Sequence, residues 1–158
     1  MADKGYVQQV ELTVDAAPDA VFALLADPHR HPDIDGSGTV RSVQTTQLPL
    51  QVGSTFEMHM HHGFSYATRN TVLELDPGRV IAWQTRPLTR PLRWLIGGRI
   101  WRYELAPEGS GTRITETWDL RPERKRALVR RLAGNPVADM TATLERLQQV
   151  LASGAAGD

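Results

Sequence analysis

Between residues 40 and 120 the chain presents six strand-like segments in succession, at 40–46, 55–61, 64–75, 80–86, 99–105 and 112–120, with no helical period between them. They are rich in β-branched and aromatic residues. Turns carrying Gly or Pro, at 48–53, 62–63, 76–78 and 107–111, divide them. Parallel pairing would require long crossover connections, so this succession predicts antiparallel pairing in one sheet.

The flanks complete that sheet and cover it. Residues 6–14 alternate, with Val10, Leu12 and Val14 on one side and Gln9, Glu11 and Thr13 on the other, which predicts a seventh, half-buried strand. Pro18 then opens a short helix carrying Val21, Phe22, Leu24 and Leu25, and residues 29–38 read as a second very short helix or a structured loop. From Arg121 to about Ser153 the pattern is helical, interrupted at Gly134-Asn135-Pro136. Val137, Met140, Leu144, Leu147 and Leu151 form an apolar stripe on the last helix, and residues 154–158 read as a flexible tail. The expected architecture is α+β: a curved seven-stranded antiparallel sheet wrapped around a long C-terminal helix, with two short helices after strand 1. A ligand cavity is expected between sheet and helix.

At 158 residues and 17.6 kDa the chain is the size of one domain, with an expected ordered core over about 6–152. The absence of Cys removes thiol nucleophiles and Cys-based metal sites. No apolar run approaches the ~20 residues of a spanning helix, and residues 1–14 carry no hydrophobic signal core. Met1 is therefore read as the mature start and the location as cytoplasmic. With 18 basic and 18 acidic residues the chain has no overall charge to draw it to nucleic acid. The basic groups cluster locally. Residues 86–102 hold five Arg and no acid around Leu92, Trp94, Leu95 and Ile96, and residues 121–131 hold six basic groups against Glu123. The first stretch reads as a lid, a self-association patch or a membrane-touching loop, the last being the least favoured. The second reads as a solvated helix face or an anion-binding surface.

Several segments occur in the order found in a known superfamily. They are Val14-Asp15-Ala16-Ala17-Pro18 with Val21-Phe22, Leu73-Glu74-Leu75-Asp76-Pro77-Gly78-Arg79, and Trp101-Arg102-Tyr103-Glu104-Leu105. Gly111-Thr112-Arg113-Ile114-Thr115-Glu116-Thr117-Trp118 and residues 140–147 complete the set. The chain resembles the START-type, birch-pollen-allergen-like helix-grip superfamily (SRPBCC), in its polyketide cyclase/dehydrase branch, over residues 6–152. The resemblance implies a deep cavity without implying one function, since the fold hosts carriers, sensors and enzymes. Where family members usually carry Trp-Pro after the first helix, this chain has His31-Pro32. The position of the arginine that steers cyclisation in the family's cyclases falls nearest Val72.

Strand parity gives the candidate site. Glu116 shares a face with Ile114, Trp118 and Leu120, so an inward apolar face makes it a poorly hydrated carboxyl, available as an acid or base or held as a structural group. His31, with Asp33 and Asp35, forms a polar cluster after the first helix. Glu116 and His31 are the candidate catalytic residues. Phe56, Met58, Met60, Tyr66, Trp83, Trp101, Tyr103, Trp118, Met140 and Leu144 are the candidate ligand-binding residues. The register of strand 64–75 stays open between a face with Tyr66, Thr68, Asn70 and Val72 and one with Arg69, Thr71, Leu73 and Leu75. His59 and His61 lie opposite Phe56, Met58 and Met60, hence outward, so no metal site is expected. Nucleotide glycine motifs, nucleophile elbows and zinc-protease signatures are absent, and no cofactor is expected. These observations favour binding or transport of a small hydrophobic, aromatic, lipid- or polyketide-like molecule by a monomer or homodimer. The alternative is an aromatase/cyclase- or dehydratase-type enzyme that transfers a proton through Glu116 or His31.

Overall fold

The computed structural model describes residues 5–45 and 48–156. One antiparallel sheet holds seven strands: β1 (Val7–Val14), β2 (Val40–Thr45), β3 (Thr55–His61), β4 (Ser65–Asp76), β5 (Val80–Pro87), β6 (Arg99–Glu108) and β7 (Gly111–Asp119). Their spatial order is β1-β7-β6-β5-β4-β3-β2. Consecutive strands from β2 to β7 are neighbours, and β1 closes the far edge against β7. Between β1 and β2 run α1 (Pro18–Leu25), a 3-10 turn (Pro28–Arg30) and α2 (His31–Ile34). The chain ends in α4 (Arg126–Leu132) and the 21-residue α5 (Pro136–Ala156), which packs against β1 and α2. Among the described residues no helix is long and apolar enough to cross a membrane.

Several boundaries depart from the pattern reading. The connection between β5 and β6 contains a four-residue helix, α3 (Leu92–Leu95), too short to leave a periodic trace. Helix α4 begins at Arg126 rather than Arg121, after turns over 121–125. Helix α5 continues through Gly154 to Ala156, where a tail was expected, because flanking Ala residues sustain the helix. Residues 157–158 of that tail, and Thr46 at the end of the second expected strand, lie outside the described residues. Val137, read as part of the apolar stripe, is 41% exposed; Pro136 is buried instead and starts the inward face that continues through Met140, Thr143, Leu144 and Leu147.

The open register of β4 resolves through a bulge. Pairing with β5 runs Asn70 to Thr85 and Val72 to Trp83, then resumes as Glu74 to Ala82 and Leu75 to Ile81, leaving Leu73 as the extra residue. Thr68, Asn70 and Val72 are buried ahead of the bulge, Leu73 is largely exposed, and Leu75 packs on the core beyond it. Both competing apolar sets therefore contribute inward residues, one on each side of the slip. The main core joins Val14, Val21, Leu25, Phe56, Ile81, Ile114, Leu144 and Leu147 between sheet, α1 and α5. A smaller cluster of Trp118, Leu120, Val129 and Met140 lies under α4.

Candidate functional site

Strand register assembles the site from a grid of inward residues. On β6, Arg99, Trp101 and Tyr103 share one face at a two-residue spacing. Their β5 partners are Thr85, Trp83 and Ile81, and Trp118 and Glu116 of β7 stand opposite Trp101 and Tyr103. Farther along the sheet, Met58 faces Thr68 and Met60 faces Tyr66. These side chains, except the core residue Ile81, with His31 and Ile34 of α2, Val129 and Leu132 of α4, and Met140 and Thr143 of α5, enclose a cavity of about 350 Å³. That volume lies within the roughly 300–1,000 Å³ usual for small-molecule sites.

Glu116 is the most unusual group in the wall. Its side chain is 1% exposed, and its Oε1 accepts a hydrogen bond from the Tyr103 hydroxyl at 2.8 Å. Oε2 has no partner. Burial pushes the carboxyl up to about 8; the Tyr103 hydrogen bond pulls it down, and the charge of Asp35 adds a smaller upward push. At neutral pH the group is consequently a neutral acid whose Oε2 carries a proton to donate. Burial also drives the Tyr103 phenol well above its ordinary value, reinforced by Glu116, so it stays a donor.

His31 supplies the complementary function. Its Nε2 lies 2.8 Å from the carbonyl oxygen of Leu25, which can only accept, so the proton sits on Nε2. Nδ1 is left as a buried acceptor without a partner. Burial lowers the His31 pKa, against raising influences from the Leu25 carbonyl, Asp27 and Asp35, and this keeps the ring neutral. The imidazole stacks on Trp83 with centroids 5.0 Å apart and meets Phe56 edge-on at 5.5 Å. Nearby, the Thr85 hydroxyl donates to Asn70 Oδ1 at 2.6 Å, while the buried Thr68 hydroxyl has no partner. An acid proton, an imidazole lone pair and a hydroxyl thus belong to one cavity wall. Such a set suits a ligand's carbonyl and hydroxyl groups.

Of the ten residues read from sequence as ligand-binding, Met58, Met60, Tyr66, Trp83, Trp101, Tyr103, Trp118 and Met140 line the cavity. Phe56 and Leu144 do not. Phe56 sits behind His31 and Trp83 as core, and Leu144 is buried in the same cluster, so both support the wall without forming it. Asp33 pairs with Arg30 at the surface, and Asp35 spends its carboxylate on the backbone N–H groups of Ser37 and Val40 and the Ser37 hydroxyl. His59 and His61 are exposed. No group of three metal-ligating side chains occurs among the described residues. Residues 88–98 reach the cavity through Ile96, while Trp94 is 60% exposed with Arg90 and Arg93 over its ring. The sequence reading missed Asn70, Thr85 and Arg99. Arg99 could have been found, because it shares the parity of Trp101 and Tyr103.

Comparison with known proteins agrees with this architecture. The family described as polyketide cyclase/dehydrase and lipid transport matches residues 8–152. The uncharacterized protein Rv0088 of Mycobacterium tuberculosis is 40% identical over 109 residues; the match covers 66% of this chain but only 43% of that protein's length. The major latex-like protein 151 of Panax ginseng superposes with a TM-score of 0.66 at 12% identity, covering 93% of this chain and 95% of that one. DynU16, from the dynemicin biosynthetic locus, superposes with a TM-score of 0.62 at 18% identity, over 94% of this chain and 48% of that one. With a family match over nearly its whole length and a helix-grip sheet around α5, the chain belongs to the polyketide cyclase/dehydrase and lipid transport family.

Proposed function

We propose that the protein binds a small hydrophobic molecule, aromatic or lipid- or polyketide-like, in the cavity between the sheet and α5. The observation that carries this reading is Glu116: a carboxyl closed off from bulk water, half satisfied by Tyr103, with its second oxygen unpartnered in a wall it shares with Trp83, Trp101 and Trp118. Leaving a buried polar atom unpaired costs about 1–3 kcal/mol, and a ligand carbonyl accepting from Oε2 would recover that cost. Trp83, Trp101 and Trp118 supply apolar surface for the ligand body, at about 0.8 kcal/mol per methylene buried. The test is mass spectrometry of small molecules released on denaturation, comparing the wild type with Trp101→Ala. A stoichiometric hydrophobic compound present in the first and lost in the second supports carriage or sensing. Compounds retained equally in both would count against the cavity as their site.

One observation favours a second reading, an aromatase/cyclase- or dehydratase-type enzyme. A carboxyl with a pKa of about 8 exchanges its proton at physiological pH, as a general acid or base must. In that reading Glu116 protonates a ligand carbonyl or removes a proton from the adjacent carbon, and His31 Nδ1 accepts from a ligand hydroxyl. Glu116→Gln separates the two: retained affinity for a poly-β-keto compound with abolished turnover supports the enzyme, whereas a change in affinity without any turnover supports the carrier.

A further inference from the structure

We propose that the cavity selects an anionic amphiphile, with Arg99 as the anchor for a carboxylate-class group at one end and the Glu116 end receiving the ligand's neutral polar groups. The inference rests on the ligand-binding reading and adds to it the chemical class of the ligand.

Arg99 is the only Lys or Arg among the described residues of the cavity wall. It is partly buried, and among the described residues its guanidinium makes no hydrogen bond and no ion pair. Two outward arginines of the sheet are paired with carboxylates. Arg69 pairs with Glu57 at 2.9 Å, and Arg102 bridges Glu74 and Glu104 at 3.1 and 2.8 Å, all on the outward face. A guanidinium has five donors in a fixed fork suited to two oxygens of one anion, and withdrawing it from water without a partner is unfavourable.

The nearby carboxylates leave that fork open. Glu123 acts on Arg99 through its charge, but its Oε1 accepts from the Gly97 N–H, and neither oxygen comes within ion-pair distance of Arg99. Asp35 and Asp139 enter the wall from the helix side and do not pair with Arg99 either. Arg99 and Tyr103 are four residues apart on one strand, hence roughly 13 Å between backbones at ~3.3 Å per residue. Between them stands Trp101, with Trp83 and Trp118 beside it. The wall therefore reads as cation, aromatic belt, then neutral hydrogen-bonding groups, the complement of an elongated apolar body with an acid at one end and a carbonyl or hydroxyl at the other.

Two dyes of one skeleton test this: anilinonaphthalene sulfonate, which is anionic, and phenylnaphthylamine, which lacks the sulfonate. Both are titrated by fluorescence into wild type, Arg99→Gln and the surface variant Arg90→Gln/Arg93→Gln, with folding checked by circular dichroism. The wild type is expected to prefer the sulfonate. Arg99→Gln is expected to weaken the sulfonate about tenfold or more while leaving the neutral dye within about twofold, and the surface variant to change neither. Arg99→Met repeats the comparison if Gln perturbs folding. Equal losses for both dyes in Arg99→Gln, or no loss, overturn the proposal, as does loss of the sulfonate only in the surface variant. If folded wild type takes up neither dye, the ligand-binding reading itself falls and this inference falls with it.

Discussion

Tyr103 and Glu116 stand directly opposite each other on β6 and β7, and the phenol donates to the carboxyl at 2.8 Å inside a wall that admits almost no solvent. Burial of the carboxyl, only partly offset by this hydrogen bond, makes folding pH-dependent in a specific direction. Glu116 titrates near 8 in the folded chain and near 4.5 when unfolded, so between those values the folded state holds a proton the unfolded state has lost. Its contribution to stability is complete below about pH 4.5 and is lost as pH rises through about 8. Glu116→Gln removes this dependence. Thermal melts from pH 5 to 9 are expected to fall less steeply for the variant, which at pH 9 should exceed the wild type by several degrees, a penalty of a few kcal/mol having been removed. Parallel curves would show that Glu116 is ionised throughout.

Removing only the donor isolates its share. In Tyr103→Phe the carboxyl loses the one hydrogen bond that lowers its pKa, leaving burial and the charge of Asp35 unopposed. The infrared carbonyl band of the neutral acid is expected to persist to higher pH than in the wild type. Stability is expected to drop by about 1–3 kcal/mol, because Oε1 becomes a second unpaired buried oxygen.

His31 works in the opposite sense. Its folded pKa lies below 6.5, chiefly through burial, so it contributes stability above about pH 6.5 that is lost as pH falls through the folded value. His31→Gln keeps an amide donor for the Leu25 carbonyl but cannot take up a proton. As pH falls from 7 to 5 its unfolding midpoint in urea is expected to gain on that of the wild type, in which the loss from His31 offsets the gain from Glu116. Proton resonances of the wild-type ring should keep neutral-form shifts below pH 6.5.

Phe56 and Leu144 are expected to act on stability rather than on binding. Each is 1% exposed and packs behind the cavity wall. Leu144→Ala is expected to cost about 2–5 kcal/mol and Phe56→Ala about 3–5 kcal/mol. Trp101→Ala should show the reverse balance, a smaller loss in stability and a larger loss of dye affinity, because Trp101 borders the cavity and is only partly buried. Equal losses of dye affinity across the three variants would erase the distinction between wall and support.

Much of this arrangement was legible because strand parity is a local property. Once Ile114, Trp118 and Leu120 are set inward, Glu116 must follow, and the same rule applied to Trp101 and Tyr103 reaches Arg99. The rule fails where the backbone slips. The Val72/Glu74 bulge inverts parity within β4, and no residue type there announces it. Nor can periodicity separate the residues that touch a void from those one layer behind it, so Phe56 and Leu144 looked like Met58 and Met140. The neutral state of His31 comes from burial, with Trp83 stacked on its ring, and its tautomer from the Leu25 carbonyl, partners brought to it by β5 and by the turn after α1, beyond any sequence spacing.

Gly36 shows how a contact invisible in sequence positions part of the wall. A Cβ at this residue would lie 2.4 Å from both the carbonyl oxygen of Asp139 and the amide nitrogen of Thr143, which are backbone atoms of α5 and cannot yield cheaply. The close approach lets the Gly36 N–H donate to Thr143 Oγ1 at 2.9 Å, and beside it Arg146 donates to the Asp35 carbonyl at 2.8 Å. Through these two bonds α5 holds the α2–β2 loop, which carries Asp35, Ser37 and Thr39 into the cavity wall. Gly36→Ala must push the loop away from the helix. The expected result is a loss of about 1–3 kcal/mol in stability, faster amide exchange over 35–40, and faster dye release with little change in the rate of entry. Exchange rates in the variant equal to those of the wild type would mean that the loop keeps its place without this contact.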